Sequence, residues 1–189
     1  MKNLLILPLV LLFGGQGYAQ QAQPQFPLSI SYFSHTLYQP GVKLGTQWTF
    51  RSWPAEGSEA TKQHTLYLSP QIAYYTHIDN YSNYLINAEL GYRRLRLNNR
   101  RYIAFSIGMG YLARSNVRNL SVNLGDGSTS KQREWNHYFL PNLNFEFGRK
   151  INDRAEWFSK WTYGLATNFG QSPTSMVFVE LGARFFLFQ

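Results

Sequence analysis

The sequence predicts an all-β protein: an eight-stranded antiparallel up-and-down transmembrane β-barrel with both termini on the periplasmic side. Three observations carry this expectation. Segments of ten or more residues alternate between apolar and polar side chains, and turn residues separate them. No apolar run after the first residues is long enough for a spanning helix. A chain that crosses a bilayer without helices must use strands closed on themselves, because hydrocarbon satisfies no free backbone group.

The first residues point to export. Lys2 supplies a positive charge, residues 4–13 (LLILPLVLLF) form an apolar run, and Gly17-Tyr18-Ala19 is a small-x-small cleavage site. The run is shorter than the ~20 residues of a membrane anchor. The expected organisation is a signal peptide at 1–19, a short N-terminal segment at 20–27 and the barrel at 28–189. The chain has no cysteine, which excludes disulfides and thiolate metal sites. Its formal charge is +8. In an exported protein that charge suits anionic lipid headgroups or a basic lumen better than nucleic acid.

Strands are expected near 28–38, 42–53, 64–77, 83–96, 101–117, 132–148, 155–168 and 175–188. The second, fifth and eighth show the pattern best. Val42, Leu44, Trp48 and Phe50 oppose Lys43, Gly45, Gln47, Thr49 and Arg51. Ile103, Phe105, Ile107, Met109 and Tyr111 oppose Ala104, Ser106, Gly108 and Gly110. Val177, Val179, Leu181, Ala183 and Phe185 oppose Phe178, Glu180, Gly182 and Arg184. Gly, Asn and β-formers interrupt every candidate helix.

Alternation alone leaves the inward face open, since a soluble lipocalin-like barrel would turn the apolar set inward around a ligand. Three features favour apolar-out. The opposite face mixes Lys43, Arg51, Glu89, Arg93, Glu146, Lys160, Glu180 and Arg184 with small residues, as a filled lumen of paired charges requires. Aromatic residues crowd the strand ends (Trp48, Trp53, Tyr74, Tyr84, Trp135, Trp157, Trp161), as interfacial girdles do. Connections also alternate in length, with periplasmic turns at 54–63, 97–100 and 149–154, and outer connections at 39–41, 78–82, 118–131 and 169–174.

Ser31-Tyr32-Phe33 leading into Gln39-Pro40-Gly41-Val42-Lys43-Leu44-Gly45, Glu89-Leu90-Gly91-Tyr92-Arg93, and Gly108-Met109-Gly110-Tyr111-Leu112 resemble strand-and-turn motifs of small outer-membrane barrels of the OmpA/OmpX type. The chain is most similar, within that class, to small barrels of the Bacteroidota. The resemblance implies an eight-stranded fold and an outer-membrane location in a Gram-negative bacterium, and it assigns no activity. The final residues, Arg184-Phe185-Phe186-Leu187-Phe188-Gln189, resemble the signal read by the barrel-assembly machinery, with the aromatic Phe188 penultimate rather than last.

Candidate sites follow from chemistry. Eight strands enclose an interior that side chains fill, so the inward charges are expected to form an ion network and not an open pore. Small barrels that modify lipid A keep a catalytic His with Ser and an acidic residue near the outer rim. Ser34 with His35, or His77 with Asp79, are the candidates here, although no spacing enforces hydrogen-bond reach between them. Arg93, Arg94, Arg96, Arg100 and Arg101 flank the 97–100 turn, either as a grip for a periplasmic partner or anionic headgroups or, the favoured reading, as snorkelling anchors at the inner interface with Arg93 pointing into the lumen. Residues 118–124 alternate and Gly125-Asp126-Gly127-Ser128 turns tightly, which predicts a protruding hairpin. Asn119, Ser121, Asn123, Gly125, Asp126 and Gly127 are its candidate partner-binding residues.

No metal cluster, phosphate loop or nucleotide fingerprint is present, so no metal and no cofactor are expected. The expected function is a non-enzymatic structural or accessory subunit of a larger outer-membrane complex, in contact with lipid and lipopolysaccharide and assembled by the barrel-assembly machinery. No nucleic acid partner is expected. The alternatives are a lipid A-modifying enzyme with an outer-rim His, and a soluble ligand-binding barrel.

Overall fold

The computed structural model describes residues 26–35, 39–55, 61–77, 81–122, 129–168 and 172–186; of 117–122 and 129–132 only the backbone is described. The strands are β1 (Pro27–His35), β2 (Pro40–Thr46), β3 (Trp48–Pro54), β4 (Lys62–His77), β5 (Tyr81–Arg96), β6 (Arg101–Val122), β7 (Thr129–Lys150), β8 (Ala155–Ala166) and β9 (Thr174–Phe186). Every pairing is antiparallel, successive strands pair except β2 with β3, and β1 pairs with β9 from Pro27↔Phe186 to His35↔Phe178. Both β2 and β3 pair with β4, so together they make one stave interrupted at Gln47. The result is eight antiparallel staves closed into a barrel, the fold class the sequence predicts. The signal-peptide residues, most of the 20–27 segment, Phe188 and Gln189 lie outside the described residues.

The alternation is that of an inside-out protein. Ile103, Phe105, Ile107, Met109 and Tyr111 on β6 point outward and are exposed, while Ala104 and Ser106 are buried inside. Ile72, Ile86, Leu90, Leu143 and Leu181 extend the apolar wall around the barrel. The buried interior has three layers. Leu95, Tyr102 and Phe158 cluster at the end that carries the termini. Phe33, Ala73, Tyr75, Leu85, Leu112, Leu140, Ala166, Met176 and Phe178 cluster at the opposite end, which carries the β6–β7 hairpin. Lys43, Glu89, Lys160 and Glu180 lie between them, and Arg93, Glu156 and Arg184 interleave with the termini-end cluster.

Two departures from strict alternation matter. Thr49 pairs with Tyr67 and Arg51 with Leu66, so Phe50 is an extra residue in β3. The bulge shifts parity by one and turns Arg51 outward. There it is exposed, with its guanidinium 5.5 Å from the Trp53 ring centroid. The expectation that Arg51 belongs to the lumen network is therefore corrected. The second departure is at Pro141, which has no backbone N–H to give the ladder. The β7–β8 pairing stops at Asn142↔Gly164 and resumes only as a bridge between Phe139 and Thr167.

Candidate functional site

Among the described residues, the interior is where this chain concentrates chemistry, and strand parity puts it there. Lys43, Glu89, Arg93, Glu146, Lys160, Glu180 and Arg184 all fall on inward positions and are all buried. Glu156 joins them and is fully buried. It sits four residues before Lys160 on β8, inside the strand expected at 155–168, so parity marks it as inward although it is not among the lumen charges expected from sequence.

The charges form two linked groups. In the first, Lys43 Nζ donates to Glu180 at 2.7 Å, and Lys160 Nζ donates to both Glu89 oxygens at 3.0 and 3.1 Å. Lys160 also lies 3.5 Å from Glu180, which ties the two pairs together. Ser31 donates to Glu180 at 2.6 Å, while Asn87 and Ser106 donate to Glu89 at 3.0 and 3.1 Å. In the second group, Arg184 reaches the two Glu146 oxygens at 3.2 and 3.3 Å and also bonds Glu156. Arg93 donates to Glu156 at 3.2 Å and to the Gln47 side chain at 2.9 Å. The Tyr102 hydroxyl donates to Glu146 at 2.9 Å. Each buried carboxylate thus meets a cation, and donors from neighbouring staves take up lone pairs, as removal from water demands, with Glu156 Oε2 and Arg93 Nε the atoms of this network left without a hydrogen bond.

Aromatic faces complete the packing. Arg93 lies over the Tyr102 ring at 4.3 Å and Arg184 over Phe158 at 4.8 Å, with Lys43 4.6 Å from the Phe33 centroid. The cations therefore pack their flanks on rings while their N–H groups hold carboxylates.

The histidines do not gather into one site. Ser34 and His35 are successive residues on opposite faces of β1. Ser34 Oγ donates to the Gln39 carbonyl at 3.0 Å, and His35 Nδ1 is 3.1 Å from Gln39 Oε1. The His35 ring packs against Tyr75 and Phe178. His77 stacks on Tyr81, and Asp79 lies outside the described residues. His64 bonds the Tyr92 hydroxyl and stacks between Tyr92 and Trp53; His137 bonds and stacks on Tyr111. His64 and His137 belong to the outer wall.

The aromatic residues named for the girdle all face outward. Tyr74, Tyr84 and Trp135 form a contiguous cluster at the hairpin end, and Trp157 packs with Phe147 at the termini end. Trp53 stands with His64 and Tyr92. Trp48 and Trp161 differ, because they stand in the middle of their staves, where they fill the wall instead of marking a rim. Of the arginines around the 97–100 turn, Arg93 points into the lumen and Arg96 and Arg101 are exposed on the wall.

The β6–β7 hairpin overshoots its neighbours. Its strands stay paired to Val122↔Thr129, whereas β5 leaves β6 after Asn116 and regular pairing with β8 ends at Asn142. Asn119 and Ser121 lie on this paired extension, while Asn123, Gly125, Asp126 and Gly127 lie outside the described residues.

No protein-family model matches the chain, and no curated protein matches it in sequence. Solved structures of outer-membrane proteins share the fold. The outer membrane enzyme PagL superposes with a TM-score of 0.55 at 16% identity, covering 84% of this chain and 98% of that one. A major outer membrane protein from Thermus thermophilus superposes with a TM-score of 0.55 at 12% identity, covering 85% and 98%. The chain is an eight-stranded closed barrel similar in fold to outer-membrane barrels.

Proposed function

We propose that this protein is a non-enzymatic outer-membrane barrel that serves as an accessory subunit of a larger outer-membrane complex. The outward apolar wall supports the location, since such a surface is stable against hydrocarbon and not against water. The termini end would face the periplasm and the hairpin end the exterior. The paired charges fix the barrel's shape, and the aromatic clusters at its ends set its depth.

The observation that carries the accessory role is the unpaired edge of β7. From Thr129 to Tyr138 that strand pairs with β6 but has no partner on its other side among the described residues. Ten residues at the strand rise give an edge of roughly 30 Å, long enough to take an added strand. Pull-down of the tagged protein from native outer membranes in mild detergent, with mass spectrometry, tests this. A stoichiometric set of large outer-membrane proteins, lost when residues 119–132 are replaced by a short turn, is the expected result. Recovery of the barrel alone would overturn the reading.

A further inference from the structure

A row of side chains crosses five strands at the hairpin end of the lumen. Gly41 on β2 pairs with Tyr75 on β4, Tyr75 with Asn83 on β5, Asn83 with Arg114 on β6, and Arg114 with Asn136 on β7. Alternation turns all five positions toward the barrel axis.

Arg114 differs from the other inward cations. Lys43, Arg93, Lys160 and Arg184 each have a carboxylate within ion-pair distance, and those carboxylates are Glu89, Glu146, Glu156 and Glu180. Cations and carboxylates there match one for one, and Arg114 is left over. It has no carboxylate partner among the described residues. Its Nε donates to Asn83 Oδ1 at 2.9 Å. The face of its guanidinium lies over Tyr81 and Tyr138, 4.5 and 5.5 Å from the ring centroids. Glu134, the nearest carboxylate along β7, makes contacts of its own.

Two further donors share the row. Asn83 Nδ2 and the Tyr75 hydroxyl belong to side chains with no exposed surface, and neither atom has a hydrogen-bond partner. The Arg114 guanidinium lies against the Tyr75 hydroxyl without the geometry of a full hydrogen bond. Buried donors left without acceptors are costly, and native proteins keep few of them. Here two stand beside an unmatched cation. The floor beneath them is the apolar cluster of Phe33, Leu85, Leu112 and Phe178, where charge attraction is weakly screened. Arg114 and Asn136 are half-buried, so the row opens toward the mouth on that side.

We infer that this row binds a small oxyanion, a phosphate or a carboxylate, with Arg114 supplying the charge and Asn83 Nδ2 and the Tyr75 hydroxyl donating to its oxygens. The row faces the barrel axis and not the wall, so the ligand is a dissolved anion and not the headgroup of a surrounding lipid. A shift of the half-buried Arg114 side chain, which bonds Asn83 Oδ1 and packs on Tyr81 and Tyr138, admits it. This site is independent of any partner at the hairpin.

The test uses the refolded full-length barrel in an uncharged maltoside detergent, titrated with inorganic phosphate, with acetate and with sodium chloride at matched ionic strength. The readout is the arginine Nε–H signals in a nitrogen-15 spectrum. A saturable shift of the Arg114 signal by phosphate or acetate, absent with chloride, is expected, and the preferred anion identifies the ligand class. Tyr75→Phe and Asn83→Leu should each weaken the affinity at least about tenfold, the usual loss for a hydrogen bond to a charged group. Tyr75→Phe should not lower the thermal midpoint, because it removes a donor that has no acceptor in the free protein, whereas Asn83→Leu also removes the oxygen that accepts from Arg114 Nε and is read by affinity alone. Arg114→Gln, checked for folding by its heat-dependent gel mobility, should abolish the response. Equal shifts with chloride, or phosphate binding unchanged in Tyr75→Phe, would overturn the proposal.

Discussion

Tyr67 on β4 and Gly91 on β5 face each other directly in register, and the tyrosine ring occupies the space that a side chain at position 91 would need. A Cβ built at Gly91 would stand 2.2 Å from the ring's Cζ and 2.4 Å from its hydroxyl oxygen. The ring is held from the lumen side as well, with the Arg93 guanidinium 5.6 Å from its centroid. A glycine lets a large ring lie flat against the barrel wall in a lumen otherwise crowded by charged side chains.

Gly91→Ala should therefore cost about 1–3 kcal/mol of stability, the usual range for overpacking a filled interior. Urea unfolding of the refolded barrel, followed by tryptophan fluorescence, measures it. In a Gly91→Ala, Tyr67→Leu double variant the two losses should fall short of their sum, since removing the ring removes the clash. Strict additivity would contradict the contact.

The lumen charges make a sharper demand. Glu180 is the carboxylate that holds Lys43, whereas Lys160 keeps Glu89 when Glu180 is lost. Glu180→Gln leaves Lys43 as an uncompensated buried cation, which costs roughly 3–5 kcal/mol. Lys43→Met combined with Glu180→Gln should be less damaging than Glu180→Gln alone. The comparison of unfolding free energies is decisive, because a merely cumulative loss would mean that the two side chains do not act as a pair.

Arg51 supplies the opposite expectation. The Phe50 bulge puts it on the exposed outer surface beside Trp53, so Arg51→Gln should change stability by less than about 0.5 kcal/mol. Arg184→Gln breaks the bonds to Glu146 and Glu156 and should behave like Glu180→Gln. If Arg51→Gln were as damaging as Arg184→Gln, the register of β3 would be wrong.

These residues also show what the sequence could tell. The staves were legible because a wall facing hydrocarbon and a lumen holding charges impose opposite polarities on successive residues, as Phe105 and Ser106 or Leu181 and Glu180 show. The bulge was not legible: Thr49-Phe50-Arg51 alternates acceptably with or without a skipped partner, and only the position of Tyr67 and Leu66 opposite decides it. Glu156 shares the parity of Lys160 within the expected 155–168 strand, but a charge one residue from a strand end fits an interfacial position as well as a lumen one, and only its partners Arg93 and Arg184 decide it. The apolar layers at the two lumen ends were hidden for another reason. Phe33, Tyr75 and Phe178 sit on the inward parity but carry the outward chemistry, so period alone does not reveal that the barrel is stoppered. The row containing Arg114 needs the register of five strands at once.

Those stoppers lead to the last expectation. A water path along the axis would have to pass the cluster of Phe33, Tyr75, Leu112, Leu140 and Phe178, then the ion network, then Leu95, Tyr102 and Phe158. Apolar packing blocks at both ends and paired charges block in the middle, so loss of one layer leaves the others in place. The purified protein in a planar bilayer should give no stepwise currents of porin type. Phe33→Ala with Phe178→Ala should still give none, because the charged layer and the termini-end cluster remain closed. Regular conductance steps from the unmodified chain would mean that the buried ion pairs exchange partners fast enough to pass ions, and a rigid lumen would then be the wrong description.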